Sequence, residues 1–213
     1  MKLFELAKAP LEHGKYYTRL YNNLFLNQIS IQLLSGHDIF DYKNEYKKGP
    51  ILLEGETGTG KTHLVELFNQ KKKYTKTKSV NLASITDTVF ESELKGHEQG
   101  AFTGAEKSKE GWFELSDGGS LFLDELQSAS IESQVALLDL LNAVSNKVSV
   151  TRMGGKSSIK TCETQLIAAI NEPIDKLLDS NRLREDLFYR FRSVYKLKSL
   201  REKFSNEQKG KSY

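Results

Sequence analysis

Between a short apolar run, PILLEGE, and an amphipathic segment, THLVELFNQ, the chain carries GETGTGKT at residues 55–62. The spacing G-x-x-x-x-G-K-[ST] restricts the fold severely, because its chemistry works only where a strand leads in and a helix leads out. Gly55, Gly58 and Gly60 let the loop turn tightly through Glu56, Thr57 and Thr59. Successive backbone N–H groups then converge on phosphate oxygens, with the positive end of the helix behind them. Lys61 supplies a point charge for the β- and γ-phosphates, and Thr62 a hydroxyl for Mg²⁺. The reading is a site for ATP with Mg²⁺; a bare glycine-rich turn is the alternative, and the flanking strand and helix argue against it.

A second signal follows in GGSLFLDE, residues 118–125. Leu121 to Leu123 read as a buried strand that delivers Asp124 to its carboxyl end, where ligands of open α/β sheets sit. Asp124 would complete the metal's surroundings, and Glu125 would orient or deprotonate the attacking water. Two acids after an apolar run can also be a helix N-cap and its first-turn partner.

Around these motifs the chain alternates strands with helices. Helices are expected over residues 61–73, around TDTVFESEL and from Ile131 to Val144, where Ile131, Val135, Leu138 and Leu141 keep a near-3.6 period. SVNL and TQLIAAI read as further strands, and VSVTRMGGKSSIK as a polar hairpin. Continuous apolar strands spaced by amphipathic helices indicate an α/β fold with a mainly parallel sheet covered on both faces. Residues 1–48 are expected to form an N-terminal extension with a helical stripe of Leu20, Leu24, Ile31 and Leu34, 49–200 the α/β unit, and 201–213 a basic, disordered tail. The 213 residues carry a formal charge of +3, too small for a surface that is wholly a nucleic-acid footprint. The single cysteine, Cys162, excludes an internal disulfide. No apolar run reaches the roughly 18 residues that a membrane span needs, so the expected location is the cytoplasm.

Four ordered stretches carry a family likeness: ESELKGHEQGAFTGA at 91–105, GGSLFLDEL, QLIAAINEP and LREDLFYRF. From about Gly49 to Lys203 the chain resembles the central AAA+ domain of bacterial sigma-54-dependent transcription activators. The resemblance implies a P-loop NTPase of three α/β/α layers on a five-stranded sheet, hydrolysing ATP to drive the sigma-54 RNA polymerase at promoters. It implies that Gly100, Ala101, Phe102, Thr103, Gly104 and Ala105 form a loop whose posture follows the γ-phosphate. Phe102 and Thr103 would press on sigma-54 and promoter DNA, which accounts for an aromatic residue on a charged, glycine-bounded arm. From residues alone, an ordinary turn with Phe102 tucked into the core remains open. Asn81 would hold and release Glu125; Asn171 would sense the γ-phosphate; Arg184 and Arg190 would be arginine fingers reaching a neighbouring subunit's nucleotide in a ring, a hexamer in the family. Residue reading alone leaves Asn81 as a strand-end polar group and Arg190 as a surface partner of Asp186.

The chain departs from the family pattern at Lys95, where Phe is usual, and at Ile170, where Thr is usual. It is also expected to lack the family's helical lid, an upstream sensing domain and a downstream helix-turn-helix. Three functions follow as expectations: an ATPase of the activator type, weak without a lid; a truncated module that binds ATP and sigma-54 but hydrolyses poorly; and a P-loop ATPase with another remodelling client.

Overall fold

The computed structural model describes residues 49–141, 145–155 and 159–197 of the chain. The helical stripe expected within 1–48 and the tail expected over 201–213 lie outside them. In chain order the elements are β1 (Ile51–Glu54), α1 (Lys61–Lys72), β2 (Thr77–Asn81), α2 (Asp87–Lys95), β3 (Gly96–His97), β4 (Lys109–Glu110) and α3 (Trp112–Leu115). Then come β5 (Ser120–Asp124), α4 (Ile131–Leu138), β6 (Lys147–Thr151), β7 (Ile159–Glu163), β8 (Gln165–Ile170), α5 (Ile174–Asp179), α6 (Glu185–Phe188) and β9 (Ser193–Lys196).

Strands β2, β5, β8, β1 and β9, in that order, make one sheet in which every pairing is parallel. The order follows from composition. ILLE in β1 and QLIAAI in β8 are buried throughout, and SLFLD in β5 is buried up to its final carboxylate. Strands apolar on both faces need cover on both sides, so they take the middle. TKSVN in β2 and SVYK in β9 alternate exposed with covered residues, which suits the two edges. On one face Leu52, Leu123 and Ala168 join a single cluster with Phe90, Trp112 and Leu137 from the helices. Leu53, Phe122 and Ile167, buried outside that cluster, belong by the period of two to the opposite face, as do Leu64, Val65 and Phe68 of α1.

Parallel register lines up the carboxyl ends of the strands. Asn81 stands opposite Asp124, and Glu54 opposite Ile170. Gly55, Asn81, Asp124 and Asn171 therefore share one edge of the sheet. A second assembly packs on the same core through Val148 and Val150: β6 and β7 pair as an antiparallel hairpin, β3 and β4 as a minimal ribbon. Met153 joins them, its N–H donating to Gly96 O at 3.0 Å and its carbonyl accepting from Glu98 N–H at 2.9 Å.

One helix departs from expectation. α4 ends at Leu138 rather than Val144, and residues 142–144 lie outside the described set. Its inner side carries Ser133, Gln134 and Leu137, while Ile131 and Val135 are exposed. The apolar spacing holds at Leu141, which is buried, and at Leu138, which packs against the core, but fails at Ile131 and Val135, where Gln134 takes the interior instead. Gln134 Nε2 donates to Ala129 O and Arg182 O, and its Oε1 accepts from Arg184 N–H.

Candidate nucleotide site and its attached loop

The phosphate loop is built almost entirely from its own backbone. Thr59 N–H and Thr59 Oγ1 both donate to Glu56 O, at 3.2 and 2.8 Å, closing the turn. Gly58 and Gly60 take φ of 82° and 90°, a region that side chains rarely occupy. At Gly55 the limit is space, because a Cβ there would lie 2.9 Å from Thr59 Oγ1. Gly60 precedes α1 as an N-cap without a side chain, and the first turn of α1 holds no acid. The first N–H groups of α1 are thus left without a capping side chain, as anion binding requires.

Lys61 is buried and folds back over the loop, Nζ donating to Gly55 O at 2.5 Å and to Glu56 O at 3.1 Å. Burial lowers its pKa, while the nearby carboxylates of Asp124 and Glu125 raise it. The ammonium therefore feels both carboxylates across the carboxyl end of the sheet. Thr62 is exposed and Asp124 half-buried. A hydroxyl and a carboxylate are oxygen donors, the set that Mg²⁺ takes alongside phosphate oxygens and water, so the residues fit that ion. Glu125 is held at φ 56°, ψ 47°, a left-handed conformation costly for a residue with a side chain. Its N–H donates to Asp124 Oδ1 at 2.9 Å, and its carbonyl accepts from Ser128 N–H at 2.8 Å.

The remaining candidates are placed less uniformly. Asn171 follows β8 directly, and its Oδ1 accepts from Gln127 Nε2 at 2.8 Å. Asn81 does not bond Glu125: its Oδ1 accepts from Ala83 N–H at 2.9 Å and caps the short 3-10 turn Leu82–Ser84. The strand-end reading describes this side chain, because the chain turns at once and its first N–H groups need an acceptor. Arg184 precedes α6 and Arg190 follows it, so the two do not share a helix. The partner of Asp186 is Arg184, in a two-point pair at 2.9 and 2.7 Å, and not Arg190.

The segment 100–105 closes on itself, Gly100 N–H donating to Ala105 O and Ala105 N–H to Phe102 O. Phe102 is 44% exposed, so it is not locked into the interior. Its ring partner among the described residues is His97, edge-on at 5.0 Å, and His97 is anchored by Ser92 of α2 at 2.7 Å. From the hairpin side Gly154 comes so close that a Cβ would lie 2.7 Å from that of Ala101. Below it Arg152 grips Glu114 through two bonds, Nε to Oε1 at 2.7 Å and Nη2 to Oε2 at 2.8 Å, and reaches Glu98 at 3.2 Å. Those bonds from Arg152, helped by Lys160, outweigh burial and hold the Glu114 carboxyl down at about 2. Sequence reading missed this ion cluster and the Ser92–His97 pair. Glu114 did leave a trace, as a charge inside the apolar GWFEL.

A parallel sheet with a phosphate loop after its first strand, an acid pair after a second and a polar residue after a third defines a P-loop NTPase of the AAA+ α/β/α type. The sigma-54 interaction domain family matches residues 40–197, and the chain belongs to that family. The sigma-54-dependent transcriptional regulator SfnR of Pseudomonas fluorescens (strain Pf0-1) is 40% identical over 148 residues, covering 68% of this chain and 38% of that protein. The Nif-specific regulatory protein of Enterobacter agglomerans is 37% identical over 159 residues, covering 73% of this chain and 30% of that protein. The chain thus spans well under half the length of these relatives. Among solved structures, NtrX from Brucella abortus matches with a TM-score of 0.62 at 23% identity, over 82% of this chain and 37% of that one. NtrX in complex with ATP matches with a TM-score of 0.58 at 23% identity, over 81% of this chain and 36% of that one. No helix among the described residues is long and apolar enough to cross a membrane.

Proposed function

We propose that the chain binds ATP with Mg²⁺ and hydrolyses it, and that the nucleotide sets the posture of residues 100–105 against sigma-54 in the RNA polymerase holoenzyme and against promoter DNA. The observation that carries the reading is the uncapped start of α1, facing a buried Lys61 that also feels Asp124 and Glu125. Residues 55–60 would wrap the phosphates, and Lys61 would exchange its backbone carbonyls for phosphate oxygens. Thr62 and Asp124 would hold the Mg²⁺, which would supply charge neutralisation to the phosphates. Glu125 would orient the attacking water and accept its proton. Asn171 would face the terminal phosphate. Arg184 and Arg190 would act on a neighbouring copy's nucleotide in a ring in the cytoplasm, which requires Arg184 to leave Asp186.

Asn81 joins this account in a changed role: its cap fixes the turn that leads from the sheet edge into α2, and α2 leads to the loop. The second reading, an ATP-binding module that hydrolyses poorly, is favoured by one observation. Arg184 pairs with Asp186 of its own chain, a contact that competes with reaching a neighbour. Steady-state turnover measured against protein concentration separates the two. Turnover per subunit that climbs with concentration, and loses the climb in Arg184→Ala, supports the ring ATPase; flat, negligible turnover with intact ATP binding supports the module. Thr103→Ala is expected to keep ATP turnover and lose retention of sigma-54 on a column with a transition-state analogue bound. Retention equal to that of the unaltered chain overturns the loop's role.

A further inference from the structure

Gln127 lies two residues beyond Glu125, in the 3-10 turn Leu126–Ser128, and is only 7% exposed. Its Nε2 donates to Asn171 Oδ1, while its Oε1 is buried with no hydrogen-bond partner among the described residues. A buried acceptor without a donor is destabilising, and a methionine would fill similar space without one. The amide is therefore not explained by packing, and its satisfied end carries its role.

That end acts on Asn171. β8 runs between β1 and β5, and Ile170 O accepts from Gly55 N–H at 3.1 Å. Asn171 consequently stands between the mouth of the phosphate loop and the Asp124–Glu125 pair, where ligands of open parallel sheets sit. Ile170 is fully buried and offers no polar side chain. An asparagine has an accepting end and a donating end, and only the donating end can meet a phosphate oxygen. By donating to Oδ1, Gln127 decides which end is which and leaves Nδ2 for the site.

We propose that Gln127 is a positioning residue that holds Asn171 with its amino group toward the terminal phosphate of ATP, so that the site distinguishes a nucleoside triphosphate from a diphosphate. The inference rests on the nucleotide reading above and deepens it. Titration calorimetry on the full chain with Mg²⁺, using a non-hydrolysable ATP analogue and then ADP, tests it without requiring turnover or a ring. Gln127→Met is expected to weaken the triphosphate analogue by about tenfold and leave ADP unchanged, the loss of one oriented charge-assisted bond. Gln127→Glu can only accept, so it turns the Asn171 amide over and presents Oδ1 to the phosphate; the triphosphate weakens further while ADP changes little. The thermal midpoint without nucleotide is expected to stay level or rise in Gln127→Met, because the orphaned acceptor is gone. A triphosphate-to-diphosphate affinity ratio that stays at the unaltered value in both variants overturns the role of Gln127, as does an equal loss for both nucleotides. Failure of the unaltered chain to bind either nucleotide overturns the proposed function itself, and this inference with it.

Discussion

The phosphate loop and the segment 100–105 are both glycine-bounded turns, yet they are held in opposite ways. The phosphate loop closes through partners six residues away or fewer, and a single backbone bond, from Gly55 to Ile170, ties it to the sheet. The segment 100–105 also makes its own turn, but its base is fixed from far along the chain. Arg152 reaches back 38 residues to Glu114 and 54 to Glu98, and Gly154 presses on Ala101. One is a local device that works wherever a strand and a helix flank it. The other is a tertiary assembly whose position depends on the hairpin beneath it.

The sharpest way to break this contrast is Lys61→Ala, expected to lower nucleotide affinity by at least about a hundredfold, since a desolvated ammonium facing phosphate is lost. The unliganded thermal midpoint should stay near that of the unaltered chain, and unchanged affinity by titration would remove the phosphate-site assignment. Glu114→Ala comes next and should act in the reverse sense: about 2–3 kcal/mol of unfolding free energy lost in urea, with nucleotide affinity retained. The same carboxylate gives a pH signature. Its folded pKa is depressed from 4.5 to about 2, so its contribution is complete above the ordinary glutamate value and is lost as pH falls toward 2. Urea unfolding between those two values should show a steeper acid decline in the unaltered chain than in Glu114→Ala. Gly154→Ala should cost about 1–2 kcal/mol, from a φ of 73° and the crowding of Ala101. Ser92→Ala should have the smallest effect, about 1 kcal/mol, by freeing the His97 ring that Phe102 leans on.

The same division explains what was legible beforehand. Strand–loop–helix order, the apolar runs of β1, β5 and β8, and the acid pair after β5 are periodic or contiguous signals, and sequence carries those directly. Edge strands β2 and β9 were harder, because alternation over four or five residues is brief. The α4 stripe is legible only in part: Leu138 and Leu141 pack inward, whereas a glutamine with three backbone partners takes the interior in place of Ile131 and Val135. Arg152, Glu114 and Lys160 carry no spacing signal at all, since only the folded hairpin brings them together. Asn81 shows the limit of carrying a role across by position: the residue stands beside Asp124, but its carbonyl is used by the turn that follows.

The central claim is that nucleotide in the phosphate loop governs the posture of residues 100–105, and one labelling measurement addresses it directly. Cys162 is the sole cysteine, and burial pushes its thiol up to about 11, so a spin label introduced through Thr103→Cys reports from the loop alone. The probe should show one mobility with a non-hydrolysable ATP analogue and another with ADP, a difference abolished by Lys61→Ala. Identical spectra with both nucleotides, at concentrations where calorimetry shows each one bound, would contradict the central claim.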